Sequence, residues 1–70
     1  MTEELARLSP RERDVLAHFA RGFTYSQIGR RLGIADSTVD TYIRRVRAKT
    51  GVVNSAELVR LGLKLDSTID

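Results

Sequence analysis

Helix-start signals followed by glycines are the feature that most constrains how this 70-residue chain folds. Each start pairs a capping side chain with an acid or amide three residues later, which can satisfy free backbone N–H groups. Three such pairs occur: Ser9 with Glu12, Thr24 with Gln27, and Asn54 with Glu57. Glycines stand where helices should end, at Gly22, Gly33 and Gly51. The chain is therefore divided into short helices.

The third helix, over Asp36 to Thr50, has the least obvious start. Ala35 is a poor cap, so either Asp36 or Ser37 is expected to serve, with Ser37 and Asp40 as a candidate capping box. The fourth helix should run from Asn54 to about Lys64. Residues 1–8 and 66–70 are expected to be frayed ends.

Apolar residues recur at helical spacing within these segments. Examples are Val15, Leu16, Phe19 and Ala20, then Ile28 and Leu32, then Val39, Ile43 and Val46. No strand-like alternation of useful length appears. We therefore predict an all-α fold, a compact four-helix bundle containing a helix-turn-helix, as a single domain over residues 1–70 with an ordered core at about 8–65.

Composition narrows the class further. The absence of cysteine excludes disulfides and thiolate metal sites, and short apolar runs argue against a membrane span or signal peptide. We expect a cytoplasmic protein without a cofactor or metal. His18, the only histidine, is expected on a helix surface, and no nucleophile or phosphate loop suggests an enzyme.

Positive charge is concentrated in one part of the chain. Residues 24–50 carry six basic and two acidic side chains, a net charge of +4, whereas the remainder sums to −1. A phosphate-binding face requires such a distribution, but a solvated basic helix face explains the count equally well.

The stretch from Tyr25 to Arg44 carries the functional signal, because two helices there are separated by a turn of three to four residues. Five apolar side chains would close a wedge between them, namely Ile28, Leu32, Ile34, Val39 and Tyr42. Gly33 suits the reversal, and Gly29, costly in mid-helix, suggests that the third helix crosses closely at that point.

The third helix presents a polar face opposite Val39, Ile43 and Val46. That face holds Ser37, Thr41, Arg44, Arg45 and Ala48, flanked by Asp40, Arg47 and Lys49. Small side chains allow close approach to a groove, arginine can donate two hydrogen bonds to guanine, and flanking cations can meet phosphates. We interpret this helix as a major-groove recognition helix rather than a merely solvated one.

The chain resembles the LuxR-type (GerE-like) DNA-binding domain from Leu8 to about Leu65. The matching stretches are Leu8-Ser9-Pro10-Arg11-Glu12-Arg13-Asp14-Val15-Leu16, Gln27-Ile28, Arg31-Leu32, Ser37-Thr38-Val39, Lys49-Thr50-Gly51-Val52 and Asn54-Ser55-Ala56. The resemblance implies a four-helix effector domain, such as that of a response regulator, for sequence-specific transcription regulation. It also implies dimerisation through the last helix.

The resemblance also implies roles for individual positions. Family members read bases from the positions held here by Asp40, Thr41 and Arg44, and contact phosphates from those of Thr38, Tyr42 and Lys49. Four positions depart from the family. Asp40 replaces a basic or amide residue, Tyr42 a histidine, Ala35 a Ser or Thr cap, and Gly29 an alanine.

The fourth helix carries more apolar surface than one small core can cover. Ala56, Val59 and Leu63 lie on one face, and Leu58, Leu61 and Leu65 spread over another. Inward packing of all six explains this pattern by itself. Together with the resemblance it favours a homodimer on an inverted-repeat operator, with RNA polymerase as a further candidate partner.

Two other functions fit the same pattern. The promoter-reading terminal domain of sigma factors resembles Tyr25 to Lys49, but it usually ends soon after its recognition helix. A helix-turn-helix that has lost DNA binding could instead bind a protein through Leu58 to Leu65, and the acid at Asp40 favours that alternative.

Overall fold

The computed structural model describes the backbone of residues 3–69 and the side chains of residues 5–65. Five helices follow one another: α1 (Glu3–Ala6), α2 (Pro10–Ala20), α3 (Tyr25–Leu32), α4 (Asp36–Thr50) and α5 (Ser55–Ile69). Helices α2 to α5 are the four helices predicted from the sequence, so the all-α bundle with a helix-turn-helix is confirmed.

The predicted caps form at three helix starts. Ser9 with Glu12 and Thr24 with Gln27 make reciprocal capping boxes. The side-chain oxygen of Asn54 accepts from the backbone N–H of Ala56 at 2.8 Å. These bonds satisfy donors that the first turn of a helix otherwise leaves free.

The chain ends differ from the prediction. Within residues 3–8, expected to be frayed, Glu3–Ala6 form α1, and Leu5 and Leu8 are buried in the core. The guanidinium of Arg13 donates twice to the carbonyl oxygen of Leu5, at 3.0 and 3.2 Å. The backbone of α5 continues past Lys64 to Ile69. Met1, Thr2 and Asp70, also expected to be frayed, lie outside the described residues.

One core joins all five helices. Its buried members are Leu5, Leu8, Val15, Leu16, Ile28, Val39, Ile43, Val46, Leu58, Leu61 and Leu65. Helix α2 lies centrally, since it packs against α3, α4 and α5. The side chains of Leu58, Leu61 and Leu65 thereby point inward. These three of the six apolar residues named on the predicted fourth helix are not available to a partner.

Helices α2 and α5 approach each other closely at Gly62. A Cβ atom at this position would lie 2.6 Å from the Cβ of Ala20 and 2.9 Å from the carbonyl oxygen of Leu16. Only a residue without a side chain fits here. No turn or helix end marks Gly62 in the sequence, so its role is visible only in the packing.

Candidate nucleic-acid interface

Helices α3 and α4 are joined by a three-residue turn, residues 33–35. Gly33 has the left-handed φ of 72°, and its N–H and that of Ile34 both donate to the carbonyl of Gly29. Arg11 of α2 donates to the carbonyl of Leu32 at 3.1 Å. Two carbonyls in the last turn of α3, those of Gly29 and Leu32, therefore have partners that hold the turn in place.

The role expected for Gly29 needs a correction. A Cβ there would lie 2.5 Å from the carbonyl oxygen of Ile34, in the turn, and 3.5 Å from Oδ1 of Asp36. The close neighbour is therefore the turn backbone rather than the body of α4. The chain folds back on α3 at this point because Gly29 leaves room for the Ile34 carbonyl.

The start of α4 also differs from the prediction. Ala35 itself is the N-cap residue, in an extended conformation, and no side chain accepts from the first turn. Neither Asp36 nor Ser37 serves as the cap, and the expected box between Ser37 and Asp40 does not form. The carbonyl of Ala35 accepts from the N–H groups of Thr38 and Val39, each at 3.0 Å.

Helix α4 buries one side and exposes the other. Val39, Ile43 and Val46 are almost completely buried. The opposite face is exposed at every predicted position, namely Ser37, Thr41, Arg44, Arg45 and Ala48. We call these five residues the α4 outer face. Within the described part of the chain no element lies over it, so a groove of B-DNA could approach it directly.

Asp40 and Arg44 form an ion pair on this surface. Nε of Arg44 lies 2.9 Å from Oδ2 of Asp40, one turn earlier on the helix. The Arg44 side chain is 79% exposed and that of Asp40 39% exposed. Thr41, the third predicted base-reading residue, donates its hydroxyl to the carbonyl of Ser37 at 3.0 Å. The acid that departs from the family pattern is thus neutralised within the helix.

The side chains predicted to contact phosphates differ in how far they are exposed. Thr38, Tyr42 and Arg47 are half-buried, and Arg45 is exposed with its guanidinium 5.8 Å from the Tyr42 ring centroid. Nε of Arg47 is buried without a hydrogen-bond partner among the described residues. Of these four side chains, Arg45 is the one most able to reach a phosphate.

Lys49 forms an ion pair with a buried carboxylate of another helix. Its Nζ lies 2.8 Å from Oε1 of Glu12, whose side chain is only 3% exposed. The same oxygen accepts from the backbone N–H of Ser9 at 2.8 Å. Burial raises the pKa of Glu12, but the Lys49 and Ser9 hydrogen bonds and the Lys49 charge outweigh it and hold the pKa below the ordinary value for glutamate. Lys49 therefore links α4 to α2.

The predicted dimer face of α5 remains accessible. Ala56 and Leu63 are exposed and Val59 is half-buried, whereas the three other leucines of the helix point inward. Leu63 is 47% exposed and Val53, before the helix, is 76% exposed. These are the two large exposed hydrophobic residues among the side chains described, so apolar surface is concentrated near α5.

A basic surface on α3 was not anticipated from the sequence. Gln27, Arg30 and Arg31 line a shallow pocket with Phe23, and the Arg31 guanidinium lies 4.8 Å from the Phe23 ring centroid. The charge count included both arginines but gave no position for them. Residue spacing alone could have shown Gln27, Arg30 and Arg31 on one face of α3.

Two features typical of other protein classes are absent from the described residues. Within the described residues no helix has the length and apolar character needed to cross a membrane. The same part of the chain holds no group of three or more residues suited to bind a metal ion. His18 is half-buried, with Nδ1 2.7 Å from the carbonyl oxygen of Asp14.

Comparison with known proteins shows which family the chain belongs to. Residues 6–62 match the family model described as GerE, bacterial regulatory proteins, luxR family. No solved structure matched.

Individual relatives agree with this match. The transcriptional activator protein EsaR of Pantoea stewartii subsp. stewartii is 43% identical over 58 residues, covering 83% of this chain and 23% of the relative. YukR of Yersinia ruckeri is 41% identical, covering 84% and 26%, and ExpR of Dickeya dadantii is 37% identical, covering 93% and 26%. The chain spans about a quarter of the length of these relatives. It belongs to the luxR family of bacterial regulatory proteins.

Proposed function

We propose that this chain binds double-stranded DNA sequence-specifically and thereby regulates transcription, with α4 in the major groove. Its membership of a family of regulatory proteins, and the transcriptional activators among its relatives, support this function. In this proposal the chain acts as a single DNA-binding domain in the cytoplasm, and it is not an enzyme.

The exposed α4 outer face carries the proposal. Ser37, Thr41 and Ala48 are small enough for the helix to sit deep in the groove, and Arg44 can donate to guanine O6 and N7. We assign base contacts to Ser37, Asp40, Thr41 and Arg44. We assign phosphate contacts to Arg45 first, and then to Thr38, Tyr42 and Arg47, whose side chains are partly buried.

Lys49 is the exception among the proposed phosphate contacts. Its ammonium already pairs with the buried carboxylate of Glu12, so a phosphate would have to share it. Lys49 has three donors, which permits both contacts at once. We therefore give it a structural role first and a phosphate contact second.

The protein acts as a dimer in this proposal. Ala56, Val59 and Leu63 of α5 form the contact, because they are the apolar residues of the helix that the core leaves accessible. A two-fold dimer would place two copies of α4 in successive major grooves about 34–36 Å apart. The operator would then be an inverted repeat, and RNA polymerase bound nearby would be a further partner.

Selection of bound duplexes from a random pool tests the central claim. We expect one enriched half-site, an affinity that falls steeply with salt, and nonspecific dissociation constants of about 10⁻⁴ to 10⁻⁶ M. A titration of the labelled protein with the selected duplex should shift the resonances of the α4 outer face. A pool without enrichment, together with unmoved α4 resonances, would refute DNA binding by this helix.

The dimer has its own test. Leu63→Asp should lower the self-association measured by sedimentation and weaken binding to an inverted repeat, while leaving half-site binding unchanged. Val53→Asp is a matched control, since Val53 is still more exposed but lies outside the proposed face. Equal effects of the two variants would contradict the assignment to α5.

Two observations count against the other functions considered. The acid at Asp40, which had favoured a protein-binding module, is paired with Arg44 and so presents less unbalanced negative charge to DNA. A sigma-type domain usually ends soon after its recognition helix, whereas α5 extends over Ser55–Ile69 and packs on α2. Loss of half-site enrichment with intact binding of a protein partner would reverse this preference.

A further inference from the structure

The ion pair between Asp40 and Arg44 occupies the centre of the proposed base-reading surface. Its two members are four residues apart on α4, and Nε of Arg44 lies 2.9 Å from Oδ2 of Asp40. Both side chains are accessible, with Arg44 79% exposed. The pair is therefore present on the free protein, before any partner arrives.

The geometry matters because a guanidinium has donors of two kinds. One N–H is on Nε, and the other four are on the two terminal nitrogens Nη1 and Nη2. The ion-pair contact with Asp40 is made at Nε, and the terminal nitrogens lie at the far end of the side chain. These two nitrogens can donate in parallel to O6 and N7 of a guanine.

From this we propose that Asp40 is a positioning residue, which holds Arg44 through Nε so that its terminal nitrogens face a guanine. The inference rests on the proposed DNA-binding function. It changes the role of Asp40, which acts on base preference through Arg44 instead of contacting its own base. It also accounts for an acid on a surface that approaches phosphates, because Arg44 neutralises its charge.

The pair should matter more on DNA than in the free protein. An exposed pair one helical turn apart contributes little to stability, because water screens it. Docking into the groove removes part of that water and strengthens the attraction between the two groups. Holding an otherwise mobile side chain in advance also lowers the entropy lost when it meets the base.

Asp40 should also affect the affinity for duplex DNA of any sequence. Removing Asp40 takes away one negative charge from a surface that faces phosphates, so binding to random DNA should rise. The two effects have opposite signs. A variant that binds random duplex more tightly yet discriminates less is therefore the signature of the proposed role.

Duplex selection with a set of variants tests the inference. Arg44→Ala first identifies the base pair that depends on Arg44. Asp40→Ala should then lower the preference for guanine at that same base pair by about tenfold, while affinity for random duplex stays equal or increases. Asp40→Glu, which keeps the carboxylate within reach of the next turn, should restore most of the preference.

Two further measurements separate positioning from other roles. In the Arg44→Ala background, Asp40→Ala should leave base preference unchanged, because nothing is left to position. In the free protein, Asp40→Ala should shift the Nε–H resonance of Arg44, whereas that of Arg45 serves as the unaffected reference.

The outcomes distinguish the two levels of the proposal. If wild-type protein shows no enriched site, both DNA readout and this inference are lost. If wild type selects a site but Asp40→Ala changes preference only at another base pair, Asp40 contacts a base itself and the positioning role is wrong. An unchanged preference at every base pair would overturn the positioning role as well.

Discussion

Nζ of Lys49 and Oε1 of Glu12 lie 2.8 Å apart and tie the end of the recognition helix to the start of α2. Glu12 is almost fully buried, and its carboxylate also accepts from the Ser9 backbone N–H. One carboxylate thus caps one helix and anchors another. Residues at both ends of this contact belong to the stretches by which the chain resembles its family.

We expect Lys49→Ala to lower the free energy of unfolding by about 1–2 kcal/mol, because it leaves the Glu12 charge buried without its partner. The value lies below that for fully buried pairs, since the Lys49 side chain is 39% exposed. Urea denaturation gives the comparison. Arg45→Ala, at an exposed position on the same helix, should leave stability unchanged. Equal stability of the Lys49 variant and wild type would contradict the structural role of Lys49.

Stability should fall in acid through the same carboxylate. Because the pKa of Glu12 in the folded protein lies below the ordinary value for glutamate, its ionised form favours folding. That contribution is complete above the pKa of Glu12 in the unfolded chain and is lost as the pH falls through the lower pKa of the folded state. Unfolding curves between pH 7 and pH 3 should show it. Over this range the Glu12→Gln variant should lose less stability than wild type. An equal loss of stability in the two proteins would contradict the contribution of the Glu12 carboxylate.

Gly33→Val should destabilise the fold by about 1–3 kcal/mol, since a β-branched residue resists the φ of 72° that the turn requires. In a domain of this size such a loss lowers the melting temperature by several degrees. Gly33→Asn is the matched control, because asparagine tolerates the left-handed conformation. A melting temperature that is the same for valine and glycine would show that the strain is relieved elsewhere.

Gly62→Ala should cost about 1–3 kcal/mol, because the added methyl group would lie 2.6 Å from the Cβ of Ala20. Ala20→Gly removes the opposing methyl group, so the double variant should lose less than the two single variants together. Thermal unfolding of all four proteins measures this coupling. Strict additivity would mean that the carbonyl oxygen of Leu16, rather than the methyl group of Ala20, opposes the added methyl group.

Arg44→Ala should weaken binding at the selected site by about 1–3 kcal/mol and relax base preference there. Arg45→Ala should weaken selected and random duplexes alike and reduce the salt dependence, as expected for a phosphate contact. Fluorescence anisotropy at several salt concentrations separates the two. The same ratio of selected to random affinity in both variants would contradict the division into base and phosphate contacts.

Local sequence signals predicted most of the helix boundaries. Ser9, Thr24 and Asn54 cap the helices that they were expected to cap, and Gly33 and Gly51 end α3 and α4 in the left-handed conformation. Such features depend on hydrogen bonds between residues two to four positions apart. They are therefore visible in a single sequence.

Contacts between distant segments were not predictable in this way. Glu12 and Lys49 are 37 positions apart, and their ion pair depends on how α4 crosses α2. Gly62 is required only because Ala20 and Leu16 lie opposite it. Helix α1 is too short to be stable alone, so Leu5 and Leu8 hold it through the core.

The outer face of α4 was predictable for another reason. Once Val39, Ile43 and Val46 were assigned to the core, helical periodicity predicted which side chains lie on the opposite, exposed side of α4. The ion pair of Asp40 with Arg44 follows the four-residue spacing of a helix as well. The ion pair of Lys49 depends on another helix, α2, so the spacing of residues in the sequence did not show it.

The missing side-chain cap at Ala35 has a consequence for how the recognition helix meets different operators. Opening its first turn sacrifices no side-chain hydrogen bond, so this turn should exchange its amide protons sooner than the capped starts of α2 and α3. The first turn of α4 is thus the least stabilised part of this helix. In the proposed complex with DNA, we therefore expect variation to be tolerated more readily at the base pair nearest Ser37 than at the base pair facing Arg44.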